Sequence, residues 1–506
     1  MRARRSLVPL AAVVVLATRP QLSLAHEHHH DGPADPSIPI DSILKLHILF
    51  QAVVWTILFP TTMVLGLIRH RLHVPLATVS LALTTAGYFF GHGHGGRSFP
   101  HTAHGTVASL LVFYLFAQMA LGMYLKLHLS WKAEGRIRPV VLGLHGLLGK
   151  TFPILGWVQM VLGIATLQSW CFGGHLGQCL AHYIMGSSFV AYSVILLIML
   201  KAGAGWLARR GRSQEWFDSW VICLWGLVNS FTEHHGGPWT HKDLQHTLLG
   251  VVWFFGGAAG IWTSRGGKRS IFPGIIIGIT GWAMSGHAQA LMLSTMVHGL
   301  FGYALMAAGV ARVIEVCFVL NDRPTGESDT SPDPTSSDEL TGRSDWSPVR
   351  AFQLLPPWLL TAAGILFMSA TDEELRWADG NGIDHITWGL IDFSIAFFLF
   401  VWFNILLDLY TTSGGRYGAR VSARSTTESG PWYSRLGQEG GGGIRNGGAN
   451  GPRADKGGYG DHGSEEESSI EAESHVLFDE GDLDAEEIDP FDDERLQSRQ
   501  AKVRGS

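Results

Sequence analysis

Histidine is the residue type in this chain whose number and spacing can do chemistry: there are 24 copies. A neutral imidazole ligates first-row metals and titrates between about pH 5 and 8. His47 opens one apolar segment and is followed by Trp55, Pro60 and Arg69. His73 stands at the start of the next, and His70 competes with it for the same role. His104-Gly105 opens a third, followed by Gln118 and Gly122, and His145-Gly146, with Gly149, opens a fourth. Consecutive segments run in opposite directions, so His47 and His104 share one membrane face, and His73 and His145 share the other. Two haems, each held by an imidazole nitrogen on either side of the iron, need two such pairs, and an adjacent glycine lets a flat group approach the backbone. Helix packing uses small residues in the same way, and the plain alternative at each position is an interfacial histidine.

A second set lies further along. His234, His235, His246, His287, His298 and His385 fall on the same face by topology, with Glu233 nearby. His385 and Asp392 are seven apart, hence on one helical face, and a carboxylate behind a histidine is a usual arrangement around a metal. Such a cluster suits Zn, Cu or Fe, or a proton-coupled path. Packed histidines that satisfy one another are the competing reading.

The elements that must position these groups are membrane helices. The chain has 506 residues, 46% apolar and 16% charged, against about 25% charged in a soluble protein. Residues 1–25 read as a secretory signal: Arg2, Arg4 and Arg5, an apolar run from Leu7 to Ala17, then Ser23-Leu24-Ala25. Eleven apolar stretches follow, at about 43–68, 74–91, 104–127, 140–167, 180–202, 216–232, 246–263, 271–290, 293–319, 351–370 and 385–410, each near the length that crosses a bilayer.

Basic residues gather in every second loop, at Arg69/Arg71, Lys132/Arg136/Arg138, Arg209/Arg210/Arg212 and Arg265/Lys268/Arg269. Those loops are expected on the cytosolic side, which puts the N-terminus in the lumen or outside the cell and the C-terminus in the cytosol, in an endomembrane or the plasma membrane. Most of the histidines then face the lumen. Residues 26–40 are a lumenal His-rich segment, 321–347 a disordered cytosolic loop, and 413–506 a disordered Gly-rich then acidic tail, open to sorting or kinase partners. The net charge of -6 comes mainly from that tail, and a nucleic-acid partner is not expected of a body that is nearly neutral and very apolar. Cys171 and Cys179, eight apart in one lumenal loop, are placed to form a local disulfide, whereas Cys223 and Cys317 sit inside helices.

The run "HILFQAVVWTILFP", with Trp and Pro eight and thirteen positions after His47, together with "HGTVASLLVFYLFAQ" and "HGLLGKTFPILGWVQMVLG", resembles the transmembrane domain of the cytochrome b-561 family over roughly 41–170. That resemblance implies two b haems, His47 with His104 and His73 with His145, and single-electron transfer across the membrane from a small-molecule donor to a ferric or radical acceptor. The family's aromatic run before the second histidine is absent, and no donor-binding domain precedes His47. Over roughly 41–412, "HGHGGRSFPHTAHG", "SFTEHHGGPWTHKDLQHTLLG" and "SGHAQALMLSTMVHGLFGYALM" resemble the fungal Ytp-like family of multi-pass membrane proteins.

The expected architecture is therefore an all-α polytopic membrane protein of about eleven helices after a signal peptide. A b-561-like bundle of four to five helices over 41–208 is followed by a second bundle over 215–320 and 348–412. The expected activity is haem-b-dependent transmembrane electron transfer. The alternatives are a transition-metal transporter or sensor that uses the lumenal histidines, and a non-catalytic structural or sorting protein.

Overall fold

The computed structural model describes residues 35, 37–99, 101–127, 134–232, 234, 237–286, 289–320 and 349–428. The expected signal, most of the His-rich segment, the 321–347 loop and the tail beyond 428 lie outside the described residues. The remainder is helical, and its described residues contain no strand. In order these are α1 Ser42–Leu67, α2 His73–Gly93, α3 Ala103–Leu127, α4 Glu134–Gln168, α5 Leu176–Arg210, α6 Gln214–Thr232, α7 His241–Thr263, α8 Phe272–Ser285, α9 Met292–Val319, α10 Ala351–Met368, α11 Asp372–Gly380 and α12 His385–Glu428.

Among the described residues nine helices are long and apolar enough to cross a bilayer, two fewer than the eleven stretches read from sequence. The two that differ are α6, 19 residues long with Glu215 and Asp218 in its first turns, and α8, only 14 residues long. Two boundaries also move. Helix α4 begins at Glu134, eleven residues before His145 rather than beside it. Helix α12 runs to Glu428, into the stretch expected to be disordered from 413. Extending an established helix costs far less than nucleating one, so the apolar span carries the polar residues after it into helix.

Local chemistry starts several of these helices. Asp41 caps α1 by accepting the Leu44 N–H at 2.8 Å, and its other oxygen accepts the Gly95 N–H beyond α2 at 2.8 Å. These two bonds hold its carboxyl below the usual carboxylate range. Thr240 and Asp243 form a capping box at α7. Gly211, at φ 57°, closes α5 in the left-handed conformation.

The described residues form two compact units. One comprises the residues up to Ala120 together with Gly146–Glu428, and the other is Leu121–His145. In the second unit the Arg138 guanidinium donates to the Leu125 carbonyl at 3.1 Å. In the first, helices pair through glycine. A methyl at Gly281 of α8 would stand 2.6 Å from the Gly302 carbonyl of α9. Gly186 of α5 meets Gly364 of α10, and Gly250 and Gly257 of α7 press on the backbone of α6. With no hydrophobic drive between helices in lipid, this close backbone approach is a main source of association. The core of the later helices is dry: Phe301, Leu305, Leu360 and Leu366 are at most 1% exposed. In contrast Phe113 of α3 and Phe231 of α6 are 74% and 79% exposed, as side chains facing acyl chains would be.

Candidate functional site

The first site is built on α1 to α4. His47 and His104 stand with ring centroids 6.2 Å apart and planes at 89°. The His47 Nδ1–H donates to the Gly87 carbonyl of α2 at 2.7 Å, and the His104 Nδ1–H donates to the Gln159 carbonyl of α4 at 3.2 Å. A carbonyl only accepts, so these bonds set the tautomer and leave each Nε2 as a lone-pair donor. Gln159 returns a bond from Nε2 to the His104 carbonyl at 3.0 Å.

Glycine makes room for each ring. A methyl at Gly91 would lie 2.6 Å from His47 Nδ1, and one at Gly163 would lie 3.1 Å from His104 Cε1. The pattern recurs at the other histidines. A methyl at Gly66 would lie 2.9 Å from His73 Cε1, and the His73 Nδ1–H donates to the Thr62 carbonyl at 2.9 Å. In the smaller unit, a methyl at Gly122 would lie 3.2 Å from His145 Cε1. All four histidines are half-buried.

Below the His47 level, α1 widens into a π-helical turn at Val54–Leu58, a local form frequent at functional sites. It presents Trp55, which stacks on Phe152 at 5.7 Å and 14°, with Phe59 and Tyr114 completing an aromatic layer. Gln51 links helices above that layer. Its Oε1 accepts from Trp55 Nε1 and Thr84 Oγ1, and its Nε2 donates to the Thr84 carbonyl.

Among the described residues, the second histidine set does not converge on one point. His234 stacks on Trp239 at 4.0 Å and lies 3.6 Å from Asp243. The His246 carbonyl accepts from Asn229 Nδ2. His298 is buried in α9, with Nδ1 on the Ser294 carbonyl, and His385 starts α12. His235 and His287 lie outside the described residues. Asp392 accepts from Ser369 Oγ at 2.6 Å. Among the described residues, the one group of three or more potential ligands converging on a point is Cys171, Cys179 and Glu373. The two cysteines form the expected disulfide, which removes both thiolates as ligands.

Sequence reasoning did not single out His182. Its ring lies 5.7 Å from that of His298 at 83°, and Phe367 stacks on it at 4.6 Å. Nor did it find the buried ion network in which Arg312 donates to Glu215 and to Glu315, each at 2.7 Å, with Arg269 at 3.4 Å from Glu215. A signal for the latter was present: Arg312 and Glu315 are ionisable residues three apart inside an apolar span, which marks function by default. Outside the spans, Glu374 of α11 is 5% exposed. Burial pushes its carboxyl up to about 8, and the bond from Tyr183 offsets only part of that.

Comparison with known proteins adds the lineage. The family model described as "Protein YTP1-like, C-terminal" matches residues 155–411, and a domain family of unknown function, DUF2427, matches residues 27–128. The chain is 40% identical over 259 residues to Protein YTP1 of Saccharomyces cerevisiae, covering 51% of this chain and 52% of that protein. It is 26% identical over 236 residues to a membrane protein of Schizosaccharomyces pombe, covering 37% and 46% of the two chains. With a second S. cerevisiae membrane protein it shares 23% identity over 324 residues, covering 52% and 48%. The chain thus spans about half the length of the curated relatives it matches. No solved structure matches it. With one family model covering half of the sequence and nine helices long enough to span a bilayer, the protein is a multi-pass integral membrane protein and belongs to the YTP1-like family.

Proposed function

We propose that helices α1 to α4 form a b-type haem domain that moves single electrons across the membrane toward a ferric or radical acceptor. The observation that carries this reading is the His47–His104 pair. A first-row metal bonded to a ring nitrogen at about 2 Å on either side puts the two imidazole centroids about 6 Å apart, and the rings stand 6.2 Å apart. Both Nδ1 atoms are already tied to carbonyls, as for ligating histidines elsewhere. Gly91 and Gly163 keep the rings close to their neighbouring helices.

In this reading His47 and His104 hold one haem. His73 and His145 enter through their spacing in sequence and the glycine that each faces within its own unit. The bound haem would supply one-electron chemistry. The chain orients the ligands and, through Trp55, Phe59 and Phe152, excludes water from the middle of the bundle. The alternation of basic loops favours an endomembrane or plasma-membrane location with His47 on the lumenal or outer side.

The test is reduced-minus-oxidised absorbance of the full chain purified from haem-replete cells. b-type bands that fall strongly in His47→Ala and His104→Ala are expected. A colourless wild-type protein would refute the proposal.

A further inference from the structure

Helix α5 carries two tyrosines nine residues apart, and each donates to a buried carboxylate on another element. Tyr183 Oη donates to Glu374 Oε1 at 2.6 Å, and Tyr192 Oη donates to Asp218 Oδ2 at 2.8 Å. Glu374 is 5% and Asp218 6% exposed. We propose that these two phenol–carboxylate pairs are proton-binding sites at opposite ends of the bundle that α5 makes with the later helices, which makes that bundle a proton-exchanging element. The inference does not rest on the haem reading.

Charge balance carries it at the first site. The ionisable groups facing Asp218 are Glu215 on α6, Arg312 and Glu315 on α9, Tyr192 on α5, and Arg269 through Glu215. Three carboxylates meet two guanidiniums. Glu215 engages both guanidiniums, and Glu315 takes the remaining face of Arg312. Asp218 is left with a neutral phenol. A buried carboxylate without a counter-cation costs several kcal/mol, and a bound proton removes that cost. Polar atoms without hydrogen-bond partners gather at the same end: Arg312 Nε, and Ser213 Oγ and Gln214 Nε2 one turn before Asp218.

At the other end, Glu373 of α11 and Asp392 of α12 face Tyr183 and Glu374, while His182, the residue before Tyr183 on α5, faces His298 of α9, Lys242 of α7 and Asp372 of α11. Asp392 is itself buried and bonded to Ser369, so acid is again crowded. Glu374 Oε2 and His182 Nε2 are buried without a hydrogen-bond partner, and a neutral oxygen is the cheaper occupant of such a place.

The stripe His298, Phe301, Leu305, Ala308 and Arg312 on α9 joins the two ends, and its three middle residues are at most 1% exposed. That dry layer separates the sites, so each exchanges with its own side.

Infrared difference spectra of the full chain in lipid nanodiscs, titrated with pH, test the assignment. Two protonated-carboxyl stretches are expected at neutral pH. Asp218→Asn removes one and Glu374→Gln the other, while Tyr192→Phe shifts only the Asp218 band and Tyr183→Phe only the Glu374 band. The two phenylalanine variants keep the packing and serve if a carboxyl variant fails to fold. Absence of protonated-carboxyl bands at neutral pH, persistence of both bands in the carboxyl variants, or their loss on adding sodium or potassium at fixed pH overturns the proposal. The last result would identify a metal cation as the occupant. The same spectra on His47→Ala keep the outcome separate from that of the haem reading.

Discussion

The ring of His47 packs against Gly91 so closely that a methyl there would come within 2.6 Å of Nδ1. Helix α2 therefore positions the imidazole twice, by the Gly87 carbonyl that accepts its proton and by the hydrogen-only residue one turn on. Alanine at Gly91 would tilt the ring away from His104. Overpacking of this kind costs about 1–3 kcal/mol, and about 1.4 kcal/mol is tenfold in an equilibrium constant. Gly91→Ala and Gly163→Ala are each expected to lower the haem-to-protein ratio about tenfold, while Gly93→Ala, which meets open space, leaves it unchanged. Pigment content per purified protein measures this.

The Arg312 network predicts a stability effect. Removing the guanidinium strands Glu315, which is 4% exposed, and leaves Glu215, which is 0% exposed, with only the longer contact to Arg269. Loss of one partner of a buried pair costs about 3–5 kcal/mol. Arg312→Met should lower the thermal midpoint markedly, and Arg312→Met with Glu215→Gln should recover part of it. Equal midpoints for the single variant and wild type would contradict the network's role.

Glu374 gives the structure a pH dependence with a definite sign. Its carboxyl lies at about 8 when folded against an ordinary 4.5. Between these values the folded state holds more protons than the unfolded one, so stability falls as pH rises through that window and is fully present below it. Hydrogen exchange of α11 should therefore quicken from pH 4.5 toward pH 8 in wild type and stay flatter in Glu374→Gln.

The Cys171–Cys179 bond closes a short loop between cysteines eight positions apart, for which chain entropy gives about 2.5 kcal/mol. The Cys171 N–H also donates to Glu373 at 2.6 Å, linking the loop to α11. Reduction is expected to speed proteolysis near 171–179 and to loosen α11, with little change at His47. Limited digestion with and without reductant, followed by mass spectrometry, reads both effects.

The helical membrane architecture was legible because a bilayer imposes a length and an apolar composition that a single sequence displays openly. The disulfide was legible too, since only eight positions separate the two cysteines, although Cys179 is buried in the first turn of α5 rather than in the loop. The shared membrane face of His47 and His104 followed from alternating helix direction, whereas their 6.2 Å approach and the bonds to Gly87 and Gln159 did not, because nothing in the sequence says which helix lies behind a ring. His182 was invisible for the same reason: it meets His298 from 116 positions away in the chain, and it carries no motif of its own. Helices α6 and α8 passed as ordinary spans because the apolar stretches were judged by length, while Glu215 and Asp218 find their partners on other helices.

The glycine contact between α6 and α7 also bears on how the protein is made. Helix α6 is less apolar than the nine spans and carries two acids, so alone it would partition poorly into lipid during synthesis. Pressed backbone to backbone against α7 through Gly226, Gly250 and Gly257, it forms a helical hairpin that can leave the translocon as one body. The ribosome must then deliver α7 before α6 is released, and mutations at these glycines would be read by the cell as failures of insertion and targets of quality control.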